Sequence, residues 1–156
     1  MTGHIVQISA SQGGIPKTAI PEAQVDTLGL TQDQHDNPDI HGGPDKAVCL
    51  WSLEVIETLK QEGHNLAPGY AGENVTVAGL DWPTVSPGVH LRLGDDVLLE
   101  VVSYTTPCRK NMRWFADKKY SRISQKHHPG SSRVYARVLQ TGKIRAGDAV
   151  EMSVPG

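Results

Sequence analysis

The chain has 156 residues, with 15 Lys+Arg against 17 Asp+Glu, a formal net charge of −2 and two cysteines. This length fits one domain that buries roughly two thirds of its unfolded surface, and the composition excludes a disulfide framework, a thiolate zinc centre and a uniformly basic nucleic-acid binder. No apolar run approaches the roughly 18 residues of a membrane span, and residues 1–11 show no basic stretch leading into an apolar one, which predicts a soluble, cytoplasmic protein.

Gly and Pro punctuate the whole chain, at Gly13-Gly14, Gly42-Gly43-Pro44, Pro68-Gly69, Pro87-Gly88 and Pro129-Gly130. Between these marks the pattern predicts short strands over residues 4–9, 47–51, 74–77, 97–104, 134–139 and 149–154. Short strands so punctuated predict a barrel or sandwich rather than a parallel βαβ sheet. A helix is predicted over 52–62, with Ser52 as N-cap, Leu53, Ile56, Leu59 and Lys60 on one face, Glu54 and Glu57 in the early turns, and Gly63 as terminator. A shorter helix is predicted over 111–120. Arg92-Leu93-Gly94-Asp95 and Arg145-Ala146-Gly147-Asp148 echo one another, each predicting a tight turn between two apolar strands.

The near-zero net charge averages two unlike halves. Residues 1–80 hold ten acids and three bases, a net −7, whereas residues 81–156 hold seven acids and twelve bases, a net +5. From Arg109 to Arg145 there are eleven bases and one acid, Asp117. Such a cluster calls for a partner. The bases from Arg109 to Arg137, with Trp114, Phe115 and Tyr120 among them, are compatible with nucleic acid. The acidic first half argues instead for a local pocket that takes a small phosphorylated ligand through Arg.

Cys108 stands in Thr105-Thr106-Pro107-Cys108-Arg109-Lys110 at a strand exit, beside two cations. Cationic neighbours favour a thiolate, the form that attacks, carries sulfur or ligates a soft metal; the alternative is an ordinary half-buried thiol. Cys49, in the apolar run Ala47-Val48-Cys49-Leu50-Trp51, reads as a buried structural residue, and a Cys49–Cys108 disulfide is disfavoured in a reducing compartment. Two glycine-containing turns, His41-Gly42-Gly43-Pro44-Asp45-Lys46 and Ala71-Gly72-Glu73-Asn74, allow a close approach to a ligand and present polar groups, though neither has P-loop spacing. Asp33, His35, Asp36, Asp39 and His41 lie close in sequence without a recognised metal-ligand spacing. No Gly-x-Ser-x-Gly elbow occurs.

The ordered set His41-Gly42-Gly43-Pro44-Asp45-Lys46-Ala47-Val48, Pro68-Gly69-Tyr70-Ala71-Gly72-Glu73-Asn74-Val75-Thr76-Val77-Ala78-Gly79-Leu80, Arg92-Leu93-Gly94-Asp95 and Pro107-Cys108 resembles the MOSC family, named for the C-terminal domain of molybdenum cofactor sulfurase. The tail from Arg122 to Lys126 and from Ser132 to Leu139 is similar to short bacterial members. The resemblance implies a mainly β fold, a MOSC-like β-barrel with a few short helices, as a single domain over residues 1–156. It implies a molybdenum–pterin cofactor, with Cys108 as the metal ligand and catalytic residue. Cofactor-binding roles are expected for His41, Asp45, Lys46, Glu73, Asn74, Arg109, Lys110, Arg122, Lys126 and Arg133. Many members carry Pro-Arg-x-Pro-Cys where this chain has Thr105-Thr106-Pro107-Cys108, so Arg109 would serve from the other side of the cysteine.

The implied activity is reduction of N-hydroxylated substrates such as hydroxylamino-purines and amidoximes, with electrons from a separate donor protein and no membrane partner. The family is also associated with pyridoxal phosphate binding. Two alternatives stand beside this reading: a sulfur carrier or cofactor-delivery module using a Cys108 persulfide, and a nucleic-acid-binding β-barrel.

Overall fold

The Val-, Ile- and Leu-rich segments become strands in the computed structural model, which describes residues 1–33 and 43–155. The strands are β1 (Thr2–Ala10), β2 (Thr18–Ile20), β3 (Glu22–Asp26), β4 (Gly29–Leu30), β5 (Val48–Ser52), β6 (Val75–Ala78), β7 (His90–Leu93), β8 (Val97–Tyr104), β9 (Val134–Gln140), β10 (Gly142–Arg145) and β11 (Ala149–Ser153). Seven of them hydrogen-bond in the order β11-β7-β8-β9-β5-β6-β1, and β1 pairs back to β11. The result is a closed, mainly β barrel with no open edge among its seven staves. β2 extends from β1, and β10, β3 and β4 form a second, three-stranded sheet.

A register shift between Ile5 and Gln7 lets β1 serve several partners. Thr2 to His4 face Glu151 to Ala149 of β11, whereas Ile8 to Ala10 face Ile20 to Thr18 of β2. An extra residue on one strand bends it and sharpens the local twist, which barrel closure requires. One pair departs from the antiparallel pattern: β5 and β6 run parallel, Leu50 opposite Val75. Parallel neighbours need a crossover. Here it is α1 (Leu53–Gln61), so a single βαβ unit sits inside the barrel that the sequence predicts.

α1 starts where the capping residue dictates, with Ser52 Oγ accepting the Val55 N–H at 3.2 Å. Ile56 and Leu59 are fully buried against the barrel, and Lys60 is exposed with Glu57 3.8 Å away. The helix predicted over 111–120 is instead a 3-10 turn, Arg109–Trp114, with a second one at Tyr120–Ile123. Tertiary contacts override the helical pattern. Phe115 turns inward in an extended conformation, 3% exposed, with its ring centroid 4.9 Å from that of His64, and Lys118 has a φ of 61°.

Two buried indoles fix the approach to β9. Trp51 Nε1–H donates to the Ser131 carbonyl at 3.0 Å, and Trp82 Nε1–H donates to the Ser132 carbonyl at 2.8 Å. Each ring buries a large apolar face and satisfies its one polar atom. Together they hold the segment that delivers Arg133. The two Arg-x-Gly-Asp turns meet at the opposite end of β8, where the Gly94 N–H donates to the Ala149 carbonyl at 2.8 Å. They close the barrel and stand apart from the residues described next.

Candidate functional site

Residues at or just beyond the starts of β5, β6 and β9 and the segments that follow β1 and β8 line one cleft. It encloses about 670 Å³, part of it open to solvent, and its lining includes Lys17, Lys46, Cys49, Asn74, Cys108, Lys110, Arg133 and Tyr135. Five residues expected from the sequence therefore share one wall system: Lys46, Asn74, Cys108, Lys110 and Arg133. They arrive from four separate segments of the chain.

Cys108 is half-buried and sits at the start of the 3-10 turn, its carbonyl accepting the Asn111 N–H at 2.9 Å. Asn111 is itself buried, its Nδ2 donating to the Ala71 carbonyl at 3.3 Å and its Oδ1 accepting from Trp114 Nε1 at 3.1 Å. The backbone that carries Cys108 is thus tied to the Gly72 loop across the cleft. Cys49 also reaches the cleft, as a free buried thiol. Burial pushes its pKa up, partly offset by the charge of Arg133, so it stays a thiol. It is a poor nucleophile or metal ligand.

Arg133 is the most informative cation. It is only 4% exposed; Nη1 donates to the Ala71 carbonyl at 2.8 Å, while Nε and Nη2 have no hydrogen-bond partner. Leaving charged N–H groups buried and unpaired is costly, and a bidentate oxyanion is the natural complement of that edge. Beside it stands Tyr135, whose hydroxyl burial pushes up to about 12, with Lys46 Nζ 5.5 Å from the ring centroid. Tyr135 therefore remains a donor throughout the physiological pH range.

The other expected residues lie elsewhere. His41 falls outside the described residues, as do His35, Asp36 and Asp39. Asp45 is exposed and reaches Arg137 at 3.5 Å. Glu73 is fully buried, its Oε2 accepting from the Gly69 N–H at 3.0 Å and from Thr76 Oγ1 at 3.2 Å. It supports the loop and does not line the cleft. Arg109 is exposed and absent from the lining. Arg122 is turned away to Glu62, Nε to Oε1 at 2.9 Å and Nη2 to Oε2 at 2.8 Å. Lys126 is exposed along a separate groove with Pro107 and Tyr120. The expected collection of cations from the whole basic stretch is thereby corrected to Lys110 and Arg133 from that stretch, joined by Lys46.

Sequence reasoning missed Lys17 and Tyr135, and met Asp33 only in a run of acids and histidines without metal-ligand spacing. Lys17 Nζ pairs with Asp33 Oδ2, and both side chains are almost fully buried. The same carboxylate accepts the Ser11 N–H at 2.9 Å and Asn74 Nδ2 at 2.9 Å. Nothing in local sequence marks this pair. Among the described residues no group of three or more His, Cys, Asp and Glu is assembled to hold a metal, and no helix is long and apolar enough to cross a membrane. Of the rings that would stack on bases, Phe115 is buried, Trp114 is half-buried 4.7 Å from Tyr70, centroid to centroid, and Tyr120 is half-buried beside the groove that Lys126 lines.

A MOSC domain model matches residues 37–151. The chain belongs to the MOSC domain family. MOSC domains are associated with molybdenum cofactor biology. This MOSC domain is 35% identical over 116 residues to the uncharacterized protein YflK of Bacillus subtilis (strain 168), covering 72% of this chain and half the length of YflK. It is 30% identical over 157 residues to YiiM of Escherichia coli (strain K12), covering 94% of this chain and 68% of YiiM. The crystal structure of YiiM from Escherichia coli superimposes with a TM-score of 0.75 at 23% identity, over 100% of this chain and 71% of that one. A protein named reductase from Gibberella moniliformis (strain M3125 / FGSC 7600) is 29% identical over 167 residues, covering 96% of this chain and 29% of its own length.

Proposed function

We propose that this MOSC domain holds a molybdenum–pterin cofactor in the cleft, with Cys108 as the protein ligand to molybdenum, and reduces N-hydroxylated compounds. The observation that carries the reading is Arg133, whose buried Nε and Nη2 lack partners in the cleft that Cys108 lines. An anionic ligand bearing oxygens, plus a soft metal, matches that donor set. A relative named as a reductase supports the redox assignment.

When bound, the cofactor supplies a two-electron redox centre. The chain's own residues do the rest. Arg133 donates through Nε and Nη2 to an anionic oxygen, and Lys46 and Lys110 bring two more cations to the cleft wall, while the charge of Lys17 is matched by Asp33. Tyr135 offers a protonated hydroxyl toward the same space. Asn74 is committed to the protein in this arrangement, its Oδ1 accepting the Cys49 N–H at 3.0 Å and its Nδ2 donating to Asp33 Oδ2 at 2.9 Å and to the Ser9 carbonyl at 3.4 Å. It holds the wall on which the site is built. The overall reaction is R–NHOH + 2 e⁻ + 2 H⁺ → R–NH₂ + H₂O, the two electrons coming from a separate reduced carrier.

The test is elemental and pterin analysis of protein purified from a host that makes the cofactor, with an amidoxime assay driven by reduced methyl viologen. Bound molybdenum and pterin with amidoxime turnover are expected for the wild type, and that turnover is lost in Cys108→Ser. Wild-type protein without molybdenum overturns the proposal. If that protein instead carries a Cys108 persulfide after incubation with a cysteine desulfurase, the sulfur-carrier reading replaces it.

A further inference from the structure

Four of the exposed cations that follow Cys108 have no acidic partner among the described residues. Arg109, Lys118, Lys119 and Lys126 are exposed, and none forms an ion pair among the described residues. The one acid of the segment, Asp117, accepts the Lys119 backbone N–H at 2.9 Å. The segment is held in place, since the Asn65 N–H donates to the Trp114 carbonyl at 2.8 Å, the Ala116 N–H donates to His64 Nδ1 at 3.2 Å, and Arg122 grips Glu62. A fixed surface of like charges is self-repelling, and an acidic partner relieves it.

We propose that this face is the docking surface of an acidic, one-electron-carrying protein that supplies the reaction. The inference rests on the reductase reading above. Arg109 follows Cys108 directly, and Lys126 lines a groove with Thr106, Pro107 and Tyr120, so a partner seated over these residues stands beside the cleft. Two electrons are needed per N–O bond cleaved, so a one-electron carrier must dock, leave and be replaced by a second reduced copy. That cycle favours a small, polar, salt-sensitive contact over an apolar one, as this surface provides. Nucleic acid fits less well. Phe115 is buried, and Trp114 and Tyr120 are half-buried against the core, which leaves little ring face for stacking bases. The first 80 residues carry a net −7, which repels an extended polyanion but leaves room for a compact partner on the cationic face.

The probe is an acidic [2Fe–2S] ferredoxin, titrated onto the cofactor-loaded protein at low and high salt, with Lys118→Glu/Lys119→Glu as the variant. Binding should weaken about tenfold between low and physiological salt and about tenfold in the variant. Amidoxime turnover with methyl viologen should be unchanged in the variant, while ferredoxin-driven turnover falls by a similar factor. No ferredoxin binding at low salt, or binding indifferent to the charge reversal, overturns the proposal. So does a single-stranded oligonucleotide that binds more tightly than ferredoxin and loses that binding in the variant. Absent turnover with methyl viologen beside charge-dependent ferredoxin binding overturns the reductase reading and leaves the acidic-protein surface standing.

Discussion

Asn74 accepts the backbone N–H of Cys49 on its Oδ1 at 3.0 Å, so the residue just before β6 is stitched to β5 at the cleft wall. Its Nδ2 donates to Asp33 Oδ2 at 2.9 Å. Removing such a group leaves buried donors and acceptors unpaired, at about 1–3 kcal/mol. Asn74→Ala should therefore lower the melting temperature by several degrees. Asn74→Asp places a second carboxylate against Asp33 and should be worse than alanine at neutral pH, with partial recovery in acid. Thermal melts of both variants at two pH values check this.

Glu62 and Glu73 should give opposite pH slopes. The guanidinium of Arg122 holds the Glu62 carboxyl below its ordinary value of 4.5. Its contribution is fully present above the unfolded value and is lost as pH falls through the lower folded one. At an exposed pair this is about 0.5 kcal/mol or less. Burial pushes Glu73 above 4.5. For a raised carboxyl the unfolded chain ionises first, so stability falls as pH rises past the unfolded value. Glu73→Gln should flatten that decline, and Arg122→Gln should flatten the acid-side loss. Denaturant titrations from about pH 2 to pH 8 distinguish the two.

Arg133→Met should separate binding from folding. The unpaired N–H groups of Arg133 cost stability, and an apolar side chain of similar length removes that cost. The Ala71 carbonyl keeps its contact from Asn111 Nδ2. The melting temperature should stay within a few degrees of wild type or rise, while molybdenum content falls at least tenfold. A large loss of stability without loss of metal would contradict the role assigned to this side chain.

Gly69 has a φ of 88°, and a Cβ there would stand 2.5 Å from the Lys17 carbonyl oxygen and 2.9 Å from Ser9 Oγ. At Gly63, with a φ of 98°, a Cβ would meet nothing within 4 Å. Gly63→Ala should cost only the backbone strain, about 1 kcal/mol, whereas Gly69→Ala adds a clash with backbone and should cost clearly more. Equal melting temperatures for the two variants would show that the loop at residues 69–74 yields.

What local sequence could reveal follows a physical line. Strand 97–104 and the helix capped by Ser52 are legible because their apolar period and capping chemistry are local. Cys108, Lys46 and Arg133 are legible as candidates because a thiol among cations and a glycine-rich turn carry chemistry in their own neighbours. Arg122 looks identical in sequence to Arg133, yet it meets Glu62, sixty positions away, and no local pattern distinguishes them. The Lys17–Asp33 pair and the placement of Tyr135 beside the cleft exist only once β1, β6 and β9 have come together. The opposed charges of the two halves point to a cationic site, and the fold divides that charge between a buried fork and an exposed face.

X-ray absorption at the molybdenum edge tests the central claim most directly. The account predicts one fewer sulfur neighbour around molybdenum in Cys108→Ser than in the wild type, both loaded in the same host. An unchanged sulfur shell, or wild-type protein with no molybdenum to measure, would contradict it.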